Sequence, residues 1–212
     1  MKYIILVFVI CLTNLQAVII PYIPAKNNIA IVVGSNFTQI NNNIDYLEVE
    51  SSLGYNLGVQ YVWNLGEETK SISGLDIRLS YISRSIEYEY NNPLADMAFT
   101  NFTEKNNVIQ LATLYHFKFI NTPQNSYHII AGPYFNYNLN EEVNPFLNAD
   151  SIPKLEIGIS FGAGYEYNFK NYKLSIEYSY QIALLNKYHY EKKYLRNYSH
   201  FINFIFTQKK LF

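Results

Sequence analysis

The sequence predicts an all-β fold, an eight-stranded antiparallel up-and-down transmembrane β-barrel. Three observations carry that expectation. Apolar residues recur with a period of two over ten residues or more, as in Leu53, Tyr55, Leu57, Val59, Tyr61, Trp63 and Leu65, and no helical period competes. The positions opposite them are small or uncharged more often than a water-facing surface would make them: Gly58, Ser80, Gly158, Ser160, Gly162 and Gly164. Aromatic residues gather near the ends of these stretches, at Tyr55, Trp63, Phe117, Phe119, Tyr134, Tyr137, Tyr165, Tyr167 and Phe169, as the girdles of a membrane barrel require.

In chain order, residues 1–17 read as a secretory signal peptide, with Lys2 at the start, an apolar run from Ile4 to Leu12, and Ala17 at the cleavage point. The run falls short of the ~20 residues a spanning helix needs, which disfavours an uncleaved anchor. Cys11, the single cysteine, lies inside it after Val9 and Ile10, where a lipid-anchor signal would place small residues. The exported chain is therefore expected to fold without disulfides. Residues 18–212 read as one barrel domain, with no internal boundary and no repeat beyond the strand rhythm.

Strands are expected near 28–38, 53–65, 74–86, 107–119, 127–139, 155–169, 172–182 and 197–207. The third changes phase, from odd Leu75, Ile77, Leu79 and Tyr81 to even Ile82, Ile86, Tyr88 and Tyr90, which reads as a bulge or an exit from the sheet. The fifth contains Pro133, which removes one ladder donor. In the sixth, Gly162-Ala163-Gly164 has the look of a phosphate loop. Such a loop leads into a helix, whereas here the alternation continues to a tight turn at Lys170-Asn171 and into another strand. The glycines then serve to make room inside a small barrel. The eighth turns Tyr198, His200, Ile202, Phe204 and Phe206 to one face; Phe206 is the expected signal for the barrel-insertion machinery, with TQKKLF as a periplasmic tail. Long connections (39–52, 87–106, 140–154, 185–196) alternate with short ones (66–73, 120–126, 170–171), so one end of the barrel is elaborated and the other trimmed.

A soluble sandwich or small ligand barrel would leave Asp76, Arg78, Gln110, Lys118, Glu156, Glu166, Lys173 and Glu177 in water. A membrane barrel turns them into its lumen and the apolar set toward outer-membrane lipid. In lipid an open sheet edge is untenable, so the first and last strands are expected to pair. Eight strands enclose a lumen just wide enough for side chains. The acids Asp76, Glu156, Glu166 and Glu177 are therefore expected to pair with Arg78, Lys118 and Lys173 as a plug, with no open pore.

With a formal net charge of −1, the chain has no general attraction for nucleic acid. Its histidines, His116, His128, His189 and His200, show no metal-ligand spacing, and no metal or other cofactor is expected. His116 and His128 share the polar phase of neighbouring strands and are expected to meet inside the barrel as a satisfied pair. A barrel enzyme would need an acid/base set at the outer rim. Glu141, Glu142, Asp150 and His189 are the candidates, and solvated loop charge is the preferred reading, so no catalytic residue is assigned. Sequons at Asn36, Asn101 and Asn197 follow from an Asn-rich composition. The basic, aromatic stretch YHYEKKYLR, 188–196, reads as a solvated loop able to touch lipopolysaccharide phosphates or sugars.

Beside this reading stand YHIIAGPYFNYNL and LEIGISFGAGYEYNFKNYKLSIEYSYQIALLN, preceded by SLGYNLGVQYVWNL and LDIRLSYISRSIEY. Together they resemble the PorT-type outer-membrane β-barrel domain family of Bacteroidetes-like bacteria, over about 28–208. Ser85 and Ala183 stand where that family often has glycine. The resemblance implies an eight-stranded outer-membrane barrel, a Gram-negative envelope, and, in one branch, an envelope or secretion partner. The expected function is structural or binding, through extracellular loops. The alternatives are an outer-membrane enzyme acting on lipid or protein and a secreted lipid-binding barrel.

Overall fold

Period-two alternation produces one continuous antiparallel wall. The computed structural model describes residues 28–41, 47–67, 70–90, 100–139, 154–184, 188–190 and 193–208. The wall is built from β1 (Asn28–Asn41), β2 (Leu47–Glu67), β3 (Ser71–Tyr90), β4 (Thr100–Ile120), β5 (Asn125–Asn138), β6 (Leu155–Asn168), β7 (Tyr172–Ala183) and β9 (Lys193–Gln208). Each pairs with the next, and β1 closes the ring against β9 from Ala30↔Thr207 to Asn41↔Arg196. Closure leaves no edge within the ring, as a lipid solvent demands. The remaining strand, β8 (Tyr188–Tyr190), pairs only with the start of β9.

The outward side chains are apolar. Ile29, Ile31 and Val33 on β1, Leu57 and Val59 on β2, Ile129 on β5 and Phe204 on β9 are all exposed. In water this surface would be an aggregation site; in a bilayer it is the solvated face. An aromatic girdle follows the end with the short turns, through Phe117 and Phe119, Tyr127 and Tyr165, then Tyr167, Phe169, Tyr172 and Phe206, with ring centroids 4.4–5.4 Å apart. The tightest of those turns is a two-residue hairpin at Lys170-Asn171, where the Phe169 amide donates to the Tyr172 carbonyl at 2.9 Å.

Three expectations need correction. First, β2, β3 and β4 are much longer than the alternation indicated, at 21, 20 and 21 residues against 14, 14 and 12 for β5, β6 and β7. The long strands at ~3.3 Å per residue and ~40° tilt rise ~50 Å, twice the ~25 Å apolar band of a bilayer. Second, β3 neither bulges nor leaves the sheet. Its even residues from Gly74 to Tyr88 face inward without interruption. What changes at Tyr81 is polarity, because the upper strand leaves lipid for water. The bulge lies on the neighbour, where β2 shifts register against β3 between Ser52 and Tyr55. Third, the 185–196 connection contains β8 and the first residues of β9, a short hairpin instead of a loop throughout.

Pro133 interrupts the β4–β5 ladder between Ala112↔Tyr134 and Tyr115↔Ala131, while Pro133↔Ile159 holds on the β6 side. That is the behaviour of a residue without an amide donor.

Candidate functional site: the barrel interior and its upper rim

The even phase of β1 to β6 sends polar side chains into the lumen, and the odd phase of β7 and β9 does the same. Arg78 on β3 and Glu177 on β7 stand on diametrically opposite walls of the eight-strand ring. They meet in a bidentate ion pair, Nη1 to Oε1 at 2.9 Å and Nη2 to Oε2 at 3.1 Å. Both side chains are almost wholly buried. Gln60 accepts from Arg78 Nη2 at 2.8 Å and donates to Asp76 at 2.9 Å, while Asn203 donates to Glu177 at 3.2 Å. A planar guanidinium fork locked onto a carboxylate in this way is among the strongest polar contacts a protein makes. Here it spans the lumen as a crossbar.

Toward the short turns, Lys118 donates to Glu166 at 2.7 Å and Lys173 approaches the same carboxylate at 3.9 Å. His116 Nδ1 lies 2.6 Å from Asp76, and His128 Nε2 lies 3.4 Å from Glu177. The two histidines do enter the lumen, as their phase indicated, but each bonds a carboxylate and neither bonds the other. A small cavity of about 40 Å³ lies among Gln60, Asp76, His116, Lys118, His128 and Glu166. It has room for a few water molecules. Among the described residues no group of three or more His, Cys, Asp or Glu is arranged to hold a metal ion.

Higher in the lumen, Gln110 donates to both Asn136 and Gln181 at 2.9 Å. Above it lies a second ion pair that the sequence reading missed, Arg84 Nη1 to Glu156 at 3.2 Å, with Asn136 and Asn197 also donating to Glu156 at 2.7 and 2.6 Å. Beside it Glu104 accepts from Tyr88 at 2.8 Å and from Asn106 at 3.0 Å. Arg84 and Glu104 were findable: both continue the even phase that holds Arg78 and Gln110. The supposed phase slip after Tyr81 hid them. Around this upper network the inward residues turn apolar, with Ile82, Ile86, Val108 and Phe201 buried, while Glu87 and Thr103 point outward.

The glycines of β6 make room for lumen side chains. A β-carbon at Gly158 would strike the Tyr134 ring, and one at Gly164 the His128 ring. The phosphate-loop reading thus ends in packing. Of the rim candidates for acid/base chemistry, Glu141, Glu142 and Asp150 lie outside the described residues. His189 sits in β8, paired with Tyr194 on the β8–β9 hairpin.

Solved structures align with this chain at low sequence identity. Neisserial surface protein A aligns with a TM-score of 0.51 at 11% identity, over 86% of this chain and 97% of that one. The attachment invasion locus protein Ail of Yersinia pestis, solved with the heparin analogue sucrose octasulfate, aligns with a TM-score of 0.44 at 13% identity, over 85% and 98%. The outer membrane protease OmpT of Escherichia coli aligns with a TM-score of 0.41 at 8% identity, over 86% and 95%. No curated protein matches the chain by sequence. The family described as outer membrane protein beta-barrel domain matches residues 25–189. With a closed eight-stranded wall, an apolar outer face and an aromatic girdle beside that match, the chain belongs to this family and resides in the bacterial outer membrane.

Proposed function

We propose that this protein is a non-conducting barrel that holds a binding surface above the outer membrane, formed by the projecting β2–β3–β4 wall and the connections it carries. The observation that supports this reading is the Arg78–Glu177 crossbar, an ion pair across the full width of the lumen below a wall that continues far past the apolar band. Blocking the lumen while lengthening the wall spends chain on the exterior rim and not on a conduit. The projecting outer face sets Glu50 directly opposite Glu87 across the β2–β3 ladder, with Lys105 on the same face one pair along. Like charges so placed repel, and a basic partner would relieve them.

Within the family, the loose motifs of β5 to β7 favour the PorT-type branch of Gram-negative barrels. Residues 1–17 are the proposed export signal and lie outside the described residues. The outward Phe204 and Phe206 of β9 are the proposed recognition element for the insertion machinery.

The test is conductance of the purified protein in a planar bilayer, paired with pull-down from its own envelope. A silent bilayer, with partners that wild type retains and a Glu50→Lys/Glu87→Lys variant loses, is the expected result. Steady nanosiemens-scale openings would overturn the non-conducting assignment. Identical partner recovery by wild type and variant would overturn the assignment of the Glu50–Glu87 face.

A further inference from the structure

On β9 the outward phase reads Tyr198, His200, Ile202, Phe204 and Phe206. His200 is the anomaly: an imidazole on a face otherwise given to lipid. An ionisable group there carries a cost unless it has a task and a partner. Its partner is Tyr178 on β7, whose hydroxyl lies 2.7 Å from His200 Nδ1 on the exposed side of the wall. The contact engages Nδ1; in the tautomer where the phenol donates to it, the ring proton sits on Nε2, the nitrogen on the other side of the ring.

The surroundings are built of rings. Tyr180 lies 4.8 Å from His200 by ring centroids, and Tyr180 and Tyr198 lie nearly parallel, 15° apart in plane at 6.3 Å. Phe161 packs edge-on against Tyr180, ring centroids 5.3 Å apart.

The level on the wall follows from the ladders. His200 pairs with Phe37 on β1, and one step higher Tyr198 pairs with Gln39, a polar residue exposed on the outer face. Below His200 the column is apolar. The cluster therefore stands where the wall passes from lipid tails to headgroups, on the side of the elaborated connections. Arg196 continues the same register phase one step above Tyr198.

We propose that Tyr178, Tyr180, Tyr198 and His200 form a headgroup site on the outer wall for a phosphorylated glycolipid of the outer leaflet. Tyrosine faces offer flat apolar surface to the C–H faces of a sugar ring, while their hydroxyls bond its hydroxyl groups. His200 Nε2 donates to the phosphate, and a phosphate oxygen turns that contact into a charge-assisted hydrogen bond. A plain phospholipid satisfies the imidazole but not the aromatic platform, so the site selects for sugar and phosphate together. It stands on the outer-membrane location alone and is independent of the Glu50–Glu87 face proposed above.

Native mass spectrometry of the full-length protein tests this, after exchange with bisphosphorylated lipid A, dephosphorylated lipid A or phosphatidylglycerol. Wild type is expected to retain bisphosphorylated lipid A about tenfold better than either of the others. His200→Phe keeps the ring and its packing; it should lose the preference for phosphate and keep the preference for sugar. Tyr180→Leu/Tyr198→Leu should do the converse. Tyr172→Leu, on the opposite girdle, should behave as wild type. Heat-dependent gel migration shows that each variant is folded. Equal retention of the three lipids by wild type overturns the proposal, as does a folded His200→Phe protein with undiminished phosphate preference.

Discussion

Below Tyr81 the wall turns Leu75, Ile77 and Leu79 outward and sets Asp76, Arg78 and Ser80 inside; above it the same strand turns Ser83, Ser85 and Glu87 outward and buries Ile82, Ile86 and Tyr88. Backbone geometry does not distinguish the two halves, since even residues face the lumen throughout. The solvent distinguishes them. In lipid the outer face must be apolar, so the lumen is where polar groups collect and pair. In water the ordinary rule of an apolar interior returns. A single strand thus carries a membrane-protein pattern and a soluble-protein pattern end to end. The lower half is held by ion pairs set beside two apolar clusters, one around Leu114 and Tyr134 and one around Val32 and Ile205, and the upper half by apolar packing of Ile82, Val108 and Phe201 around the Arg84–Glu156 pair.

The sharpest way to break the lower half is to remove one end of its crossbar. Arg78→Ala leaves buried Glu177 with His128 and Asn203 in place of its bidentate partner, and removing one member of a buried ion pair costs roughly 3–5 kcal/mol. Arg78→Met with Glu177→Gln removes both charges and should restore much of that loss. Reversible urea unfolding in lipid vesicles, followed by tryptophan emission from Trp63, measures both. A single variant as stable as wild type would show that the crossbar is ornamental.

A smaller effect separates the two outer faces. Leu79→Arg places a charge against lipid and is expected to cost about 2–4 kcal/mol. Glu87→Arg, further along the same strand and on the same face, stands in water and breaks a like-charge pair with Glu50. It should fall within about 0.5 kcal/mol of wild type, on the stabilising side. Equal costs at both positions would place lipid against the whole wall and remove the projecting half.

How much of this was legible in the sequence follows the same divide. Where lipid sets the outer face, alternation alone located the strands: the expected 172–182 and 155–169 match β7 and β6 to within one residue at each end. The interior charges Asp76, Arg78, Lys118, Glu166 and Glu177 were legible too, because a charge in the phase opposite an apolar column has only the lumen to go to. Legibility failed above Tyr81. There the apolar column moves from odd to even residues as the solvent changes, which mimics a register slip, so the upper parts of β2, β3 and β4 passed for loops. Glu104 was lost with them, and Arg84, inside the expected 74–86 strand, was lost to the apparent slip. Which histidine meets which carboxylate was also beyond reach, since that depends on how β3, β4, β5 and β7 face one another across the lumen.

The finest comparison uses one substitution twice. Ile77→Val and Ile86→Val each remove a methylene from β3, the first from the lipid face and the second from the closed interior of the projecting half. Both forfeit the transfer term of about 0.8 kcal/mol per methylene, because unfolding carries the side chain into water in either case. They differ in what fills the gap. Fluid acyl chains close over the shortened side chain at position 77 at once, whereas the neighbours of residue 86 are fixed by the ladder and leave a void, so the cost there rises toward ~1.5 kcal/mol. An excess of about half a kcal/mol at position 86, in the same urea unfolding measurement, is the expected outcome. No excess would mean that the upper interior is as fluid as the bilayer around the lower wall. In that case the projecting half would not be a packed core, and the rigid platform proposed for binding above the membrane would fall with it.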